Sequence, residues 1–153
     1  MTPAQHLVAS TLTAAGFGAV TKSIPGSLVC FLSGIFIDLD HILDFYWAKK
    51  RMCWSLKELQ DYCLNERSGK IYLIFHSYEL LSMLWVIILI FFPNPIGMGL
   101  VVGLTVHMIL DQLVNPIYPW AYFWFYRSRL GFPKKIFFKE DFLAGLKENK
   151  YGR

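Results

Sequence analysis

Charge is scarce in this 153-residue chain: 17% of its residues are charged and 55% are hydrophobic, with a mean hydropathy of +0.40. An ordinary soluble domain carries ~25% charged residues, so the scarcity excludes a normal water-facing surface and indicates a membrane protein. Cysteine is scarcer still, with three residues. Cys30 falls in an apolar stretch, and Cys53 and Cys63 fall in a polar one, with no CxxC between them. A zinc knuckle is therefore excluded, and free thiols in a reducing compartment are expected. There is no internal repeat, low-complexity tract or Gly/Ser linker, which leaves one domain, 1–153. The opening MTPAQHLVAS has no basic n-region, so a cleaved signal peptide is not expected.

What the chain does have is apolar length. The stretches 24–47, 71–92 and 95–120 are long enough to cross ~30 Å of hydrocarbon at ~1.5 Å per residue. A fourth, 7–20, is shorter and needs its flanks. The predicted fold is all-α: a polytopic membrane bundle of four helices at about 4–21, 25–47, 71–92 and 95–117. Ser55 with Glu58 has the spacing of a capping box, and Leu56, Leu59 and Cys63 follow at helical intervals. That predicts an interfacial amphipathic helix at about 55–65. Pro93-Asn94-Pro95 predicts the turn between the last two spans. The aromatic run PIYPWAYFWFYRSR, 116–129, reads as an interfacial belt. Beyond Gly131-Phe132-Pro133, the stripe Phe138, Phe142 and Leu146 predicts a surface helix within an amphipathic tail at about 127–153.

Fourteen of the fifteen Lys and Arg fall on one side of such a bundle, Lys22 being the exception. The positive-inside rule then places both termini in the cytoplasm, with the protein integral to the membrane. The net charge of +4 is explained by juxtamembrane cations facing anionic lipid headgroups, and no nucleic-acid partner is expected. Membrane lipids are the expected partners, and nothing in the sequence fixes an oligomeric state.

Against this apolar background stand nine ionisable residues. His6, His41, His76 and His107, with Asp38, Asp40, Asp44, Glu79 and Asp111, all lie in the expected spans. Each costs ~2.5–3.5 kcal/mol near a bilayer centre on insertion scales, so they must pair, bind something or face water. With alternating helix directions all nine fall in the cytoplasmic leaflet, as one shared site requires. Residues four apart share a helix face, which aligns His6, Ser10, Ala14 and Gly18. The same spacing aligns Gly26, Cys30, Gly34 and Asp38, and again Gly99, Gly103, His107 and Asp111. The small residues on those faces let backbones approach closely. His107 with Asp111, and His76 with Glu79, each offer an imidazole and a carboxylate from one helix to one cation. A single helix through GIFIDLDHILDF, 34–45, would spread Asp38, Asp40, His41 and Asp44 over roughly 160°. Asp38 and His41 then form the leading ligand pair, and Asp40 bridges two ions or orients a histidine. Asp44 lies near the headgroups or behind the ligands.

The order His6, Asp38-Leu39-Asp40-His41, His76-Ser77, then His107 with Asp111 resembles the YdjM-like family of inner-membrane metal-dependent hydrolases, over about residues 4–117. That family is similar to the zinc-dependent phospholipases C and single-strand nucleases. The resemblance implies the bacterial inner membrane as the location, and a metal site of His6, Asp38, Asp40, His41, His76, His107 and Asp111 holding one to three divalent ions. In a hydrolase Asp40 is the expected catalytic residue, bridging ions or positioning the nucleophile, and the other six are metal ligands. Zinc suits the mixed nitrogen and oxygen donors, and manganese or iron would also fit. The family's third helix carries a His-Arg-Gly-x-Thr-His-Ser run, where this chain reads Ile71-Tyr72-Leu73-Ile74-Phe75-His76-Ser77; Glu79 is a possible additional ligand in place of one lost there. The expected activity is hydrolysis of a phosphoester, a phospholipid or lipid-linked phosphate, by metal-activated water at the cytoplasmic leaflet. The alternative is a non-enzymatic membrane protein with a structural metal site or a cation- or proton-conducting polar core.

Overall fold

The computed structural model describes residues 2–64 and 69–139. Among them the regular elements are helices, joined by isolated bridges but no strands. The α-helices are α1 (Pro3–Thr21), α2 (Ile24–Phe36), α3 (Leu39–Lys49), α4 (Leu56–Leu64), α5 (Tyr78–Phe91), α6 (Pro95–Val114) and α7 (Trp124–Arg129). Their starts are encoded locally. Thr2 and Gln5 form a capping box ahead of α1, Ser23 caps α2, and Ser77 caps α5. Asn94 accepts from the amides of Ile96 and Gly97 at the head of α6, with Pro95 in the first turn, where its missing N–H costs nothing.

α1, α2 and α6 form the tightest part of the molecule, along the small-residue faces. A methyl group on Gly99 would collide with the Gly26 carbonyl oxygen, and one on Gly103 with that of Cys30. Only glycine lets α2 and α6 come this close. Ser27 Oγ donates to the Ala14 carbonyl at 2.9 Å, fastening α1 to α2. Trp85 Nε1 donates to Thr105 Oγ1 at 2.9 Å, and Tyr78 bonds Gln112, fastening α5 to α6. These contacts make α1 antiparallel to α2, α2 parallel to α6, and α6 antiparallel to α5.

Among the described residues one helix, Pro95–Val114, is long and apolar enough to cross a membrane. Two other expected spans differ from the sequence reading. The helix expected over 25–47 breaks at Ile37 and Asp38 into α2 and α3. There the amides of Asp38, Asp40 and His41 bond the carbonyls of Ile35, Ile37 and Asp38, a tightened turn that re-aims the chain. The helix expected over 71–92 begins only at Tyr78. Its first seven residues are irregular because side chains claim their backbone groups. Asp44 takes the Tyr72 amide, Asp40 those of Phe75 and His76, and Arg127 the carbonyls of Tyr72, Leu73 and His76. Leu73 sits in this loop at φ 32°, a left-handed conformation that costs a leucine ~1–3 kcal/mol.

The tail differs too. Phe138 does not lie on a surface helix: it is buried, and forms an antiparallel bridge with Ile117. Ile71 N–H donates to Phe132 O at 3.0 Å, and Tyr118 N–H to Phe137 O at 2.8 Å. The segment 132–139 is thus laced to both 69–71 and 116–118. Phe142 and Leu146 lie outside the described residues. The aromatic belt turns partly inward, with Tyr122 and Arg127 buried.

Candidate metal centre

Regular helices carry four of the six site residues. His6 is on the first turn of α1, and His107 and Asp111 are one turn apart near the end of α6. The break between α2 and α3 carries Asp38, which heads α3 without capping it, so that its carboxylate is left to the site. His41 follows on the first turn of α3, and His76 comes from the irregular loop before α5. Six side chains expected as ligands therefore meet at one end of the bundle.

Their donor atoms stand at ligand spacing. His6 Nε2 is 3.3 Å from Asp111 Oδ1 and 3.8 Å from Asp38 Oδ2. His107 Nε2 is 3.4 Å from Asp38 Oδ1 and 3.6 Å from Asp111 Oδ2. His76 Nε2 is 3.7 Å from each carboxylate, and His41 Nε2 is 3.8 Å from Asp38 Oδ1. Most of these are too long for good hydrogen bonds. Two donors held ~2.0–2.1 Å from one tetrahedral ion would themselves lie roughly 3.3 Å apart. The donors fall into two overlapping groups, His6, Asp38, His107 and Asp111, and Asp38, His41, His76 and Asp111, each within 4.8 Å. Both carboxylates belong to both groups.

The residues behind the histidines settle which nitrogen faces inward. His107 Nδ1 lies 2.7 Å from the Gly34 carbonyl, which can only accept, so Nδ1 carries the proton. His76 Nδ1 lies 3.4 Å from Asp40 Oδ2, a carboxylate oxygen that also accepts from the Phe75 amide at 2.7 Å. In the neutral rings both Nε2 atoms then point lone pairs at the cluster. They are buried and have no hydrogen-bond partner. A buried acceptor left unpaired costs ~1–3 kcal/mol, and a cation between these nitrogens and the two carboxylates removes that cost. The His/Asp group could hold a metal ion, and its residues fit one.

The remaining expected site residues have other neighbours. Of the two roles open to Asp40, the structure gives it the orienting one, behind His76 and outside both donor groups. Asp44 is buried, not near a surface, and accepts from Tyr62 OH at 3.0 Å and the Tyr72 amide at 2.8 Å. Glu79 also lies outside both groups. Because His76 precedes α5, the two do not share a helix face, and Glu79 accepts from the amides of Trp124 and Phe125 and from Ser77 Oγ.

Sequence reasoning missed the residues that brace the site from a distance. Arg127 donates to three carbonyls of the His76 loop at 2.8, 2.8 and 3.1 Å, and burial pulls its guanidinium below the usual range. Lys134 is buried against Tyr62, donating to its carbonyl at 2.5 Å. Cys63 places its sulfur 3.4 Å from His41 Nδ1, and burial pushes this thiol up to about 12. No local pattern marks any of them, since each reaches the site across more than twenty residues of chain. No protein family, characterised protein or solved structure matches the chain.

Proposed function

We propose that this protein is a membrane-embedded, metal-dependent hydrolase of lipid-linked phosphoesters, of the kind found in the YdjM-like family, with two ions sharing Asp38 and Asp111. The observation that carries this reading is the pair of donor groups with both carboxylates in common, faced by the unpartnered Nε2 atoms of His76 and His107. Divalent ions, zinc by preference for such donors, would supply a bound water of near-neutral pKa and offset charge on a phosphate oxygen. His6 and His107 would hold one ion and His41 and His76 the other, while Asp40 orients the ring of His76. The Asp38 side chain remains 33% exposed and that of His107 1%, so substrate approaches from the Asp38 side.

Membrane insertion of all four apolar segments is supported by what the bundle leaves outside. Leu12, Val20, Ile24, Ile90, Phe91 and Leu113 are each at least 64% exposed, an apolar surface that suits lipid and not water. The alternating helix directions fit four crossings. Between the cluster and the Lys22 end, α1, α2, α5 and α6 contain no Asp, Glu, Lys, Arg or His. That argues for a one-sided site over a conducting path.

The test is hydrolysis by purified protein in nanodiscs of a phospholipid panel and of bis-p-nitrophenyl phosphate, with and without zinc or manganese. Metal-dependent turnover by wild type, lost in Asp38→Ala at equal membrane insertion, is expected. Turnover that survives Asp38→Ala, or no turnover on any phosphoester in metal-loaded protein, would refute it.

A further inference from the structure

One cavity, about 440 Å³ in volume, opens directly from the metal centre. Its size falls within the ~300–1,000 Å³ of small-molecule sites. One end is polar, formed by His6, Asp38, His41 and Asp111, with Asp44 and the buried Lys134 also in the lining. The rest is almost wholly apolar, walled by Leu7 of α1, Ile35 of α2, Ile42 of α3, Leu59 of α4, Ile71 and Ile117. α4 is the informative wall. It is an amphipathic helix whose apolar side would otherwise lie flat on the membrane, yet Leu56, Leu59 and Cys63 face this cavity.

We infer that the cavity is the seat of a single aliphatic chain carrying a phosphate at one end, the phosphate lying at the metal centre and the chain running beneath α4. The division of the lining chooses this occupant. An anionic head would match the metal-binding end once divalent ions are held there, and hydrocarbon matches the predominantly apolar remainder. A water-soluble phosphoester would leave the apolar walls without a partner. The inference rests on the hydrolase reading for the position of the head, and goes beyond it in assigning the substrate class and the wall that selects it.

Photolabelling tests the assignment without requiring turnover. The probe is a dodecyl phosphonate with a diazirine on its terminal carbon, which cannot be hydrolysed, added to the zinc-loaded full chain in nanodiscs. Labelled peptides are mapped by mass spectrometry. The expected result is labelling around Leu59 and Ile117, competed by unlabelled dodecyl phosphonate and not by ethylphosphonate. Leu59→Trp, which fills the cavity, should reduce that labelling about tenfold, a typical effect of overpacking. Ile42→Trp gives the same reduction from the α3 wall should the first variant fail to fold. Labelling confined to lipid-facing Val86 and Ile90, or a cross-link to a second copy of the chain in place of the lipid, would overturn the inference. Cavity labelling in protein that hydrolyses nothing would instead refute the hydrolase reading and leave the chain site standing.

Discussion

The two groups of histidines reach the same centre by different means. His6 and His107 stand on regular helices, stacked ring on ring with centroids 4.2 Å apart, and they are held by packing, since α1, α2 and α6 touch through Gly, Ala and Ser. His76 stands on irregular backbone and His41 beside a helix break, with rings 4.8 Å apart, and here hydrogen bonds do the holding. Asp40, Asp44 and Arg127 claim the backbone groups that a helix would have used. The first arrangement is written into neighbouring residues of each helix; the second depends on a segment fifty residues downstream. The helical side should therefore fail by losing the fold, and the loop side by losing the metal while the fold persists.

Variants can separate the two sides. The largest effect belongs to the residues they share. Asp38→Ala and Asp111→Ala each remove a ligand from both donor groups, and phosphodiester hydrolysis should fall to the background rate in a steady-state assay. Next is Gly103→Leu, which drives a side chain into the Cys30 carbonyl. It should cost ~1–3 kcal/mol or more by overpacking, read as a lower Tm in detergent together with loss of metal. Arg127→Met probes the loop side. It leaves three carbonyls without their buried donor, and metal affinity should fall ~10–100-fold, as for other residues that orient ligands. Helix content by circular dichroism should stay near wild type. If Arg127→Met unfolded the chain as fully as Gly103→Leu, the two sides would be one.

Two smaller effects sharpen the boundary. Glu79→Gln weakens the acceptor for the Trp124 and Phe125 amides and should cost ~0.5–1.5 kcal/mol in thermal unfolding. Metal content should be unchanged, and a lost ion would return Glu79 to the ligand set. Cys63, with its thiol held up to about 12 by burial, should resist iodoacetamide at pH 8 in folded protein and react once denatured. Rapid alkylation in the native state would contradict its position against His41.

The same contrast explains what was legible in the sequence. His6, His107 and Asp111 could be placed because a period of four along an apolar helix fixes both face and depth. The turn at Pro93-Asn94-Pro95 was likewise local. The break at Ile37 was not, because nothing in GIFIDLDHILDF disfavours helix strongly enough; the turn is selected by the partners it brings Asp38 and Asp40. Nor was the unwinding of 71–77, whose cause is a buried arginine that sequence alone assigns to an interfacial belt. The expected shared face of Glu79 and His76 failed for the same reason. Its spacing from His76 matters only if both lie on one helix.

The central claim is that Asp38 and Asp111 are shared between two ions. Elemental analysis by mass spectrometry of detergent-purified protein never exposed to chelator tests it most directly, comparing wild type, His107→Ala and Asp111→Ala. Two zinc, manganese or iron ions per chain, reduced towards one in His107→Ala and lost in Asp111→Ala, is the predicted result. Wild-type protein that is folded yet holds no stoichiometric metal would contradict the account, and would leave the cluster a hydrogen-bonded polar core.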